Sequence, residues 1–232
     1  MYWQWNSRKG NERQSNNDAV GLINGKTFFF ALLVDAVEKS DKSNEFACYW
    51  AETIASSVLS MGTYPSTDDL LNIMRNTQKQ LRHQFLHETA SYIALIYNKD
   101  TQKSQVLVCG DCRLGFILGD IKWLTKTHTL LTAFDDSLGD VKREVMTRHT
   151  LTHSLNAKRF IQPEVIAVDA PQDRQWILCS DGYWAEHIEE KTPWEGLKDD
   201  ASCLTISMNK LPNQLSSSDC KNCFSYELEC DE

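Results

Sequence analysis

The sequence has few basic residues and contains no long apolar run. Lys and Arg number 24 against 32 Asp and Glu, which gives a net charge of −8. Because no stripe of Lys or Arg is available to bind phosphates, the sequence argues against a nucleic-acid partner. No stretch approaches the ~20 apolar residues that cross a bilayer, so we expect no membrane partner. The N-terminus has no basic start followed by an apolar core, and we expect no signal peptide.

The eight cysteines do not form the pattern of a disulfide framework. Four lie in apolar segments and are typical of small buried residues: Cys48, Cys109, Cys179 and Cys203. We therefore expect a reducing, cytoplasmic setting. The C-terminal Cys220 and Cys223, with Cys230, are the exception. They would bind zinc if an acidic side chain or a partner supplied a fourth ligand; otherwise they belong to a loose or strand-forming tail.

The pattern of apolar residues is that of one globular domain. Several antiparallel hairpins and two consecutive helices predict an α+β fold, a sheet sandwich flanked by helices. The helices are expected over residues 46–61 and from residue 66 towards residue 87, and a further helix over residues 142–149. We place the domain at residues 1–208 and a polar, cysteine-containing tail at residues 209–232.

His83 and His87 are four residues apart in the second predicted helix. This spacing could hold a metal ion, but no third ligand is apparent nearby. A solvated helix face is the alternative.

Asn24-Gly25 is the strongest hairpin signal in the chain, between the apolar runs 19–23 and 27–34. Asp18 precedes the first run and Asp35 follows the second. Because the two runs have similar lengths on each side of a two-residue turn, both aspartates should lie at the same end of the strand pair.

Other apolar runs also end at aspartate. Residues 106–109 lead to Asp111 and residues 176–179 lead to Asp181, while Asp199 precedes a closing strand at residues 203–208. Carboxylates gathered at one edge of a core would repel one another, so such a cluster normally holds a divalent cation such as Mg²⁺ or Mn²⁺. The alternative is that each aspartate only caps the turn or helix that follows it.

Seven segments in chain order resemble motifs of the PP2C-type (PPM) metal-dependent protein phosphatases, in particular the compact bacterial ones. They are residues 13–19 (R-x-x-N-E/Q-D), 35–41 (D-G-M-G-G-H), 108–113 (V-G-D-S-R), 124–128 (L-T-x-D-H), 151–156 (L-T-R-A-L-G), 177–184 (L-L-C-S-D-G-L-W) and 199–202 (D-D/N-A/I-T). Each match is weak by itself, and the ordered set is specific.

This resemblance implies a four-layer α-β-β-α sandwich of two mostly antiparallel sheets. It implies a cytoplasmic signalling enzyme that hydrolyses phosphoserine and phosphothreonine in proteins by attack of a metal-bridging hydroxide. Its partners would be a phosphorylated protein substrate and a cognate Ser/Thr kinase.

The resemblance also assigns roles to residues. Asp35 would bridge two Mn²⁺ or Mg²⁺ ions with help from the carbonyl of Ala36, and Asp181 and Asp199 would bind the first ion. Asp18 would hold water on the second ion.

Two further residues complete the implied site. Asp111 would bind a third, weaker ion, and Arg13 would bind the phosphate. The implied catalytic set is therefore Arg13, Asp35 and Asp181.

The chain departs from the family pattern after Asp35, where residues 36–41 read Ala-Val-Glu-Lys-Ser-Asp instead of G-M-G-G-H. The histidine that would act as general acid has no counterpart, and Asp41 or a metal-bound water would have to replace it. Loss of a general acid typically costs ~10²–10⁴ in rate, which predicts a slow enzyme. The alternative is a pseudophosphatase, a binding module that keeps the fold with weak or no turnover.

Overall fold

A computed structural model describes residues 1–135, 150–169, 175–209 and 220–228. The strands in chain order are β1 (Tyr2–Arg8), β2 (Asp18–Asn24), β3 (Phe28–Ala36), β4 (Thr89–Asn98), β5 (Lys103–Cys109), β6 (Arg113–Leu118), β7 (Asp120–Trp123), β8 (Leu155–Asn156), β9 (Glu164–Asp169), β10 (Gln175–Cys179), β11 (Ala201–Ser207) and β12 (Cys223–Glu227). The α-helices are α1 (Ser43–Met61), α2 (Thr67–Gln80) and α3 (Leu130–Asp135), and a π-helix covers Gly182–Glu189. No helix in the described ranges is long and apolar enough to cross a membrane.

The strands form two sheets. The first sheet has the order β1-β11-β10-β6-β7 and is antiparallel throughout. The second has the order β12-β2-β3-β4-β5-β9, with the short β8 paired to β4, and is antiparallel except where β12 joins β2. The α+β sandwich expected from the sequence is confirmed.

The apolar run of β3 is buried on both of its faces, because the strand lies between two layers. Alternate side chains of a strand point to opposite faces. Phe29 therefore packs between the sheets with Trp5 and Trp176, whereas Phe28 and Phe30 pack on the other face, in the cluster that contains α1 and α2. A smaller cluster covers the outer face of the first sheet, where the π-helix packs. These layers fix the strand ends that carry the aspartates.

The first two helices begin and end at residues whose local chemistry explains the boundary. Gly62 takes the left-handed conformation (φ 67°) at the end of α1. Ser66 and Asp69 form a capping box at the start of α2. The second helix ends at Gln80, earlier than expected, and a 3₁₀ turn over Leu81–His83 follows. His83 and His87 therefore do not share a helix face, and the pair forms no metal site among the described residues. The helix expected over residues 142–149 lies outside the described residues.

Part of the C-terminal tail belongs to the second sheet. β12 runs parallel to β2, and the Asn222 side chain donates hydrogen bonds to Ser7 Oγ (2.8 Å) and to the backbone carbonyl of Asp18 (3.0 Å). The strand-forming alternative is thus the one observed over residues 223–227. Cys230 lies outside the described residues, so the zinc site stays a prediction, as does the domain boundary at residue 208.

Candidate active site

The hairpin β2–β3 brings Asp18 and Asp35 together. The two residues are direct partners in the register of the antiparallel pair, so the prediction that they lie at the same end is confirmed. Ala36 extends the pairing by donating its N–H to the carbonyl of Asn17 at 3.0 Å. The site therefore begins where the buried part of this hairpin ends.

A pocket of about 230 Å³ opens at this edge. It is lined by six of the seven residues that the sequence singled out: Arg13, Asp35, Ala36, Asp111, Asp181 and Asp199. The seventh, Asp18, is fully buried and does not line the pocket. Four further lining residues carried no role in the sequence-based interpretation: Val37, Glu38, Ser91 and Leu151. The aspartates of distant strands are therefore gathered at one edge, as expected.

Hydrogen bonds and a glycine turn hold Asp111 and Asp181 at the pocket. The N–H of Asp181 points at Asp35 Oδ2, 3.5 Å away. Ser91 Oγ donates to Asp111 Oδ1 at 2.6 Å, and Trp184 Nε1 donates to the carbonyl of Asp111 at 2.9 Å. Gly110 has a φ of 108°, and a Cβ there would lie 2.1 Å from Ser91 Oγ. Only glycine permits this close turn into Asp111.

Asp18 is a buried carboxylate with one oxygen left without a partner. Ser180 Oγ donates to Asp18 Oδ2 at 2.9 Å, whereas Oδ1 has no hydrogen-bond partner among the described residues. Burial raises the pKa of Asp18 well above its ordinary value, and the nearby charge of Asp200 raises it further. Burial likewise raises the pKa of Asp35, with added repulsion from Asp18 and the other pocket carboxylates. The site thus holds concentrated, uncompensated negative charge.

Arg13 is the one cation among the described residues that line the pocket, and it is paired with Asp199. Nε donates to Asp199 Oδ1 and Nη2 donates to Oδ2, each at 2.6 Å. Nη1 lies 3.7 Å from Glu38 Oε2. The hydrogen bonds to Asp199 raise the pKa of Arg13, so the guanidinium stays charged. Arg13, which is expected to bind phosphate, and Asp199, which is expected to bind a metal ion, are therefore bound to each other.

Asp200 fixes the loop that carries Arg13, a role that the sequence did not reveal. Its carboxylate accepts the N–H of Gly10 (2.9 Å) and both the N–H (2.8 Å) and the side-chain amide (2.9 Å) of Asn17. Burial raises the pKa of Asp200 to about 6. Asn17, where the family motif has Glu or Gln, thus acts here as a donor to Asp200. The feature of the sequence that could have indicated the contact between Asp200 and Asn17 is the pair of adjacent acids at residues 199–200, of which one is buried.

The segment that replaces G-M-G-G-H is held by side chains. The buried carboxylate of Glu88 accepts the hydroxyls of Ser40 (2.7 Å) and Ser43 (2.8 Å). Lys39 Nζ donates to Thr89 Oγ1 at 2.7 Å. Asp41, a candidate substitute for the missing histidine, is exposed and does not line the pocket.

The donor set fits a hard divalent cation. The lining residues that the structure describes offer carboxylate oxygens and no His or Cys side chain, the set that Mg²⁺ and Mn²⁺ prefer. The unpartnered Asp18 Oδ1 and the raised pKa values of Asp18 and Asp35 indicate that positive charge would stabilise the cluster. In the described ranges no three His, Cys, Asp or Glu side chains converge closely enough to form a ready metal site. Cation binding would therefore require carboxylates to move, including separation of Asp199 from Arg13.

The fold is shared with solved phosphatase structures. No family model and no curated protein sequence matches the chain. The PPM Ser-Thr phosphatase MsPP from Mycobacterium smegmatis, solved with cacodylate, aligns with a TM-score of 0.71 and 17% identity, over 90% of this chain and 99% of that one. Stp1 from Staphylococcus aureus aligns with a TM-score of 0.72 and 15% identity, over 90% and 96%.

The catalytic domain of the serine/threonine phosphatase PstP, solved in complex with two manganese ions, has a TM-score of 0.65 and 17% identity, over 88% of this chain and 96% of that one. Identities this low establish the architecture and leave the activity to be tested. The resemblance that the ordered motifs suggested is confirmed at this level: the chain has the fold of the PPM serine/threonine phosphatases.

Proposed function

We propose that this protein is a metal-dependent phosphatase that hydrolyses phosphoserine and phosphothreonine in proteins. The observation that carries the proposal is the pocket at the end of β2 and β3, where four aspartates and one arginine meet in a chain with the PPM fold. With Glu38, the described lining carries five carboxylates against one guanidinium, and this excess of negative charge would repel a phosphate dianion. Bound cations would reverse that balance.

Each residue has a proposed role. Asp35, with the carbonyl of Ala36, would hold two Mn²⁺ or Mg²⁺ ions, Asp181 and Asp199 would complete the first site, and Asp18 would orient water at the second. Bound cations lower the pKa of water, so that hydroxide is available at neutral pH for in-line attack on phosphorus.

The remaining groups act on the phosphate and on a weaker ion. Arg13 would bind two phosphate oxygens through Nε and Nη2, the nitrogens that now bind Asp199. Asp111 would serve a third, weaker ion. The catalytic set is Arg13, Asp35 and Asp181, and the biological partners would be a phosphoprotein and a cognate kinase in the cytoplasm. Because the described residues of the pocket lining include no histidine, we expect the enzyme to be slow on substrates with poor leaving groups.

The test is hydrolysis of p-nitrophenyl phosphate and of a phosphothreonine peptide with and without Mn²⁺. Wild type is compared with Asp181→Ala and with Asp100→Asn, a substitution of an exposed turn residue. We expect Mn²⁺-dependent turnover in wild type and in the control, and its loss in Asp181→Ala. Mn²⁺ binding by calorimetry without turnover would instead identify a binding protein that keeps the phosphatase fold.

A further inference from the structure

Glu38 lies in the pocket at a position where the family motif has glycine. Its side chain is 20% exposed, and its Oε1 accepts the backbone N–H of Gln14 at 2.8 Å. Its Oε2 lies 3.7 Å from Arg13 Nη1. Glu38 therefore joins the loop after β3 to the loop that carries Arg13.

The nitrogens of Arg13 are divided between two carboxylates. Nε and Nη2 bind both oxygens of Asp199 in a fork, and Nη1 faces Glu38. Arginine uses the same two-point geometry for carboxylates and for phosphates. Asp199 thus occupies the edge of the guanidinium that a phosphate would need, while Glu38 holds a different nitrogen.

We propose that Glu38 is a positioning residue that keeps Arg13 over the pocket when Asp199 is withdrawn. The inference rests on the proposed function, in which Asp199 binds a cation. When Asp199 binds a cation, Nε and Nη2 of Arg13 become available for phosphate. The contact of Nη1 with Glu38 then prevents the Arg13 side chain from rotating into solvent. Phosphate binding should therefore follow cation binding, and it should depend on Glu38.

The direction in which one substitution changes the affinity for phosphate distinguishes this role from a simple charge effect. Glu38→Gln removes a negative charge close to the phosphate, so electrostatic repulsion alone would make the variant bind phosphate more tightly. Loss of positioning has the opposite effect, because a free arginine side chain loses rotamer freedom when it binds. Glutamine can still accept the N–H of Gln14, so the loop itself should be preserved.

The experiment is calorimetric titration of inorganic phosphate into Mn²⁺-saturated wild type, Glu38→Gln and the control Glu12→Gln. Glu12 is an exposed acid in the loop that carries Arg13, 3.7 Å from Lys198. We expect about twofold to fivefold weaker phosphate binding in Glu38→Gln, as for loss of one partly exposed ion pair. Glu12→Gln should match wild type, and all three proteins should bind Mn²⁺ within about threefold of one another.

The outcomes separate this inference from the proposed function. Unchanged or tighter phosphate binding in Glu38→Gln, with normal Mn²⁺ binding, would overturn the role of Glu38 and leave the proposed phosphatase intact. Equal phosphate affinity of wild type with and without Mn²⁺ would overturn the order of binding. Absence of Mn²⁺ binding in all three proteins would overturn the proposed function together with this inference.

Discussion

The buried carboxylate of Asp18 should destabilise the metal-free protein, and its replacement by asparagine should therefore raise stability. Asp18 is fully buried, and among the described residues its Oδ2 accepts from Ser180 while Oδ1 has no partner. Leaving a buried polar atom unpaired costs about 1–3 kcal/mol, and more when the group is charged. Asparagine keeps an unpaired polar atom but removes the charge and its repulsion by Asp200, so we expect Asp18→Asn to stabilise the protein at pH 8 without cations by about 1–3 kcal/mol. In a domain of this size that corresponds to a rise in melting temperature of roughly 2–12 °C.

The pH dependence of this effect has a definite sign. The pKa of Asp18 is raised in the folded state, so the folded protein holds its proton more tightly than the unfolded chain does. Stability from this group is present in full below the unfolded pKa of about 3.9 and is lost as the pH rises through the higher folded pKa. The advantage of Asp18→Asn should be largest at pH 8 and should shrink on acidification. Asp200, with a pKa raised to about 6, also lowers stability as the pH rises from 4 to 6, and it does so in both proteins.

Thermal unfolding measures this effect. Wild type, Asp18→Asn and Asp100→Asn are compared between pH 5 and 8 with a chelator present. The control should follow wild type, because Asp100 is exposed. A melting temperature of Asp18→Asn equal to or below that of wild type at pH 8 would refute the reasoning. Added Mn²⁺ should stabilise wild type more than Asp18→Asn if the proposed metal site is correct, since ligand binding shifts stability by mass action.

Two further predictions concern the helix layer and the leaving group. A Cβ at Gly21 would lie 2.5 Å from the backbone oxygen of Ala51, so Gly21→Ala must displace α1. Urea denaturation should show a free energy of unfolding lower by about 1–3 kcal/mol. An unchanged free energy of unfolding would mean that α1 moves without destabilising the protein. No histidine among the described lining residues could protonate a serine or threonine leaving group, so turnover of p-nitrophenyl phosphate should exceed that of a phosphothreonine peptide by about 10²-fold or more. Comparable kcat values for the two substrates would indicate a proton donor that this site does not show.

The parts of the fold that follow from local pattern could be predicted from the sequence. The hairpin of β2 and β3 was predicted and Asp18 pairs with Asp35, but the connection is residues 25–27 and not a two-residue turn, because Asn24 is the last residue of β2 and pairs with Phe29. Gly62 correctly marked the end of α1. The extent of α2 was overestimated, because the apolar spacing continues through the 3₁₀ turn that follows it. β12 was not placed although Phe224 and Tyr226 alternate with Ser225 and Glu227, because the stretch before it is polar and its parallel partner β2 lies about 200 residues earlier.

The sequence predicted that the aspartates gather at one edge but not which groups they bind, and the roles assigned to them stay predictions. Sequence order placed the aspartates at strand ends, where the fold gathers them. It could not show that Arg13 binds Asp199, or that Asp200 holds the loop through Gly10 and Asn17. These contacts join residues more than 180 positions apart, and no local spacing encodes them.

The segment after Asp35 bears most directly on whether the site works. Glu88 is a buried carboxylate that accepts two hydroxyl donors, Ser40 in this segment and Ser43 at the start of α1. Unfolding the segment would leave one oxygen of that carboxylate unpaired in the core, which is costly, so the segment should be held in place. It presents Glu38 to Arg13 instead of a histidine to the leaving group. Under the proposed function, the change would remove a proton donor and add a contact to Arg13 while the carboxylates stay at the pocket, which predicts a slow, cation-dependent phosphatase.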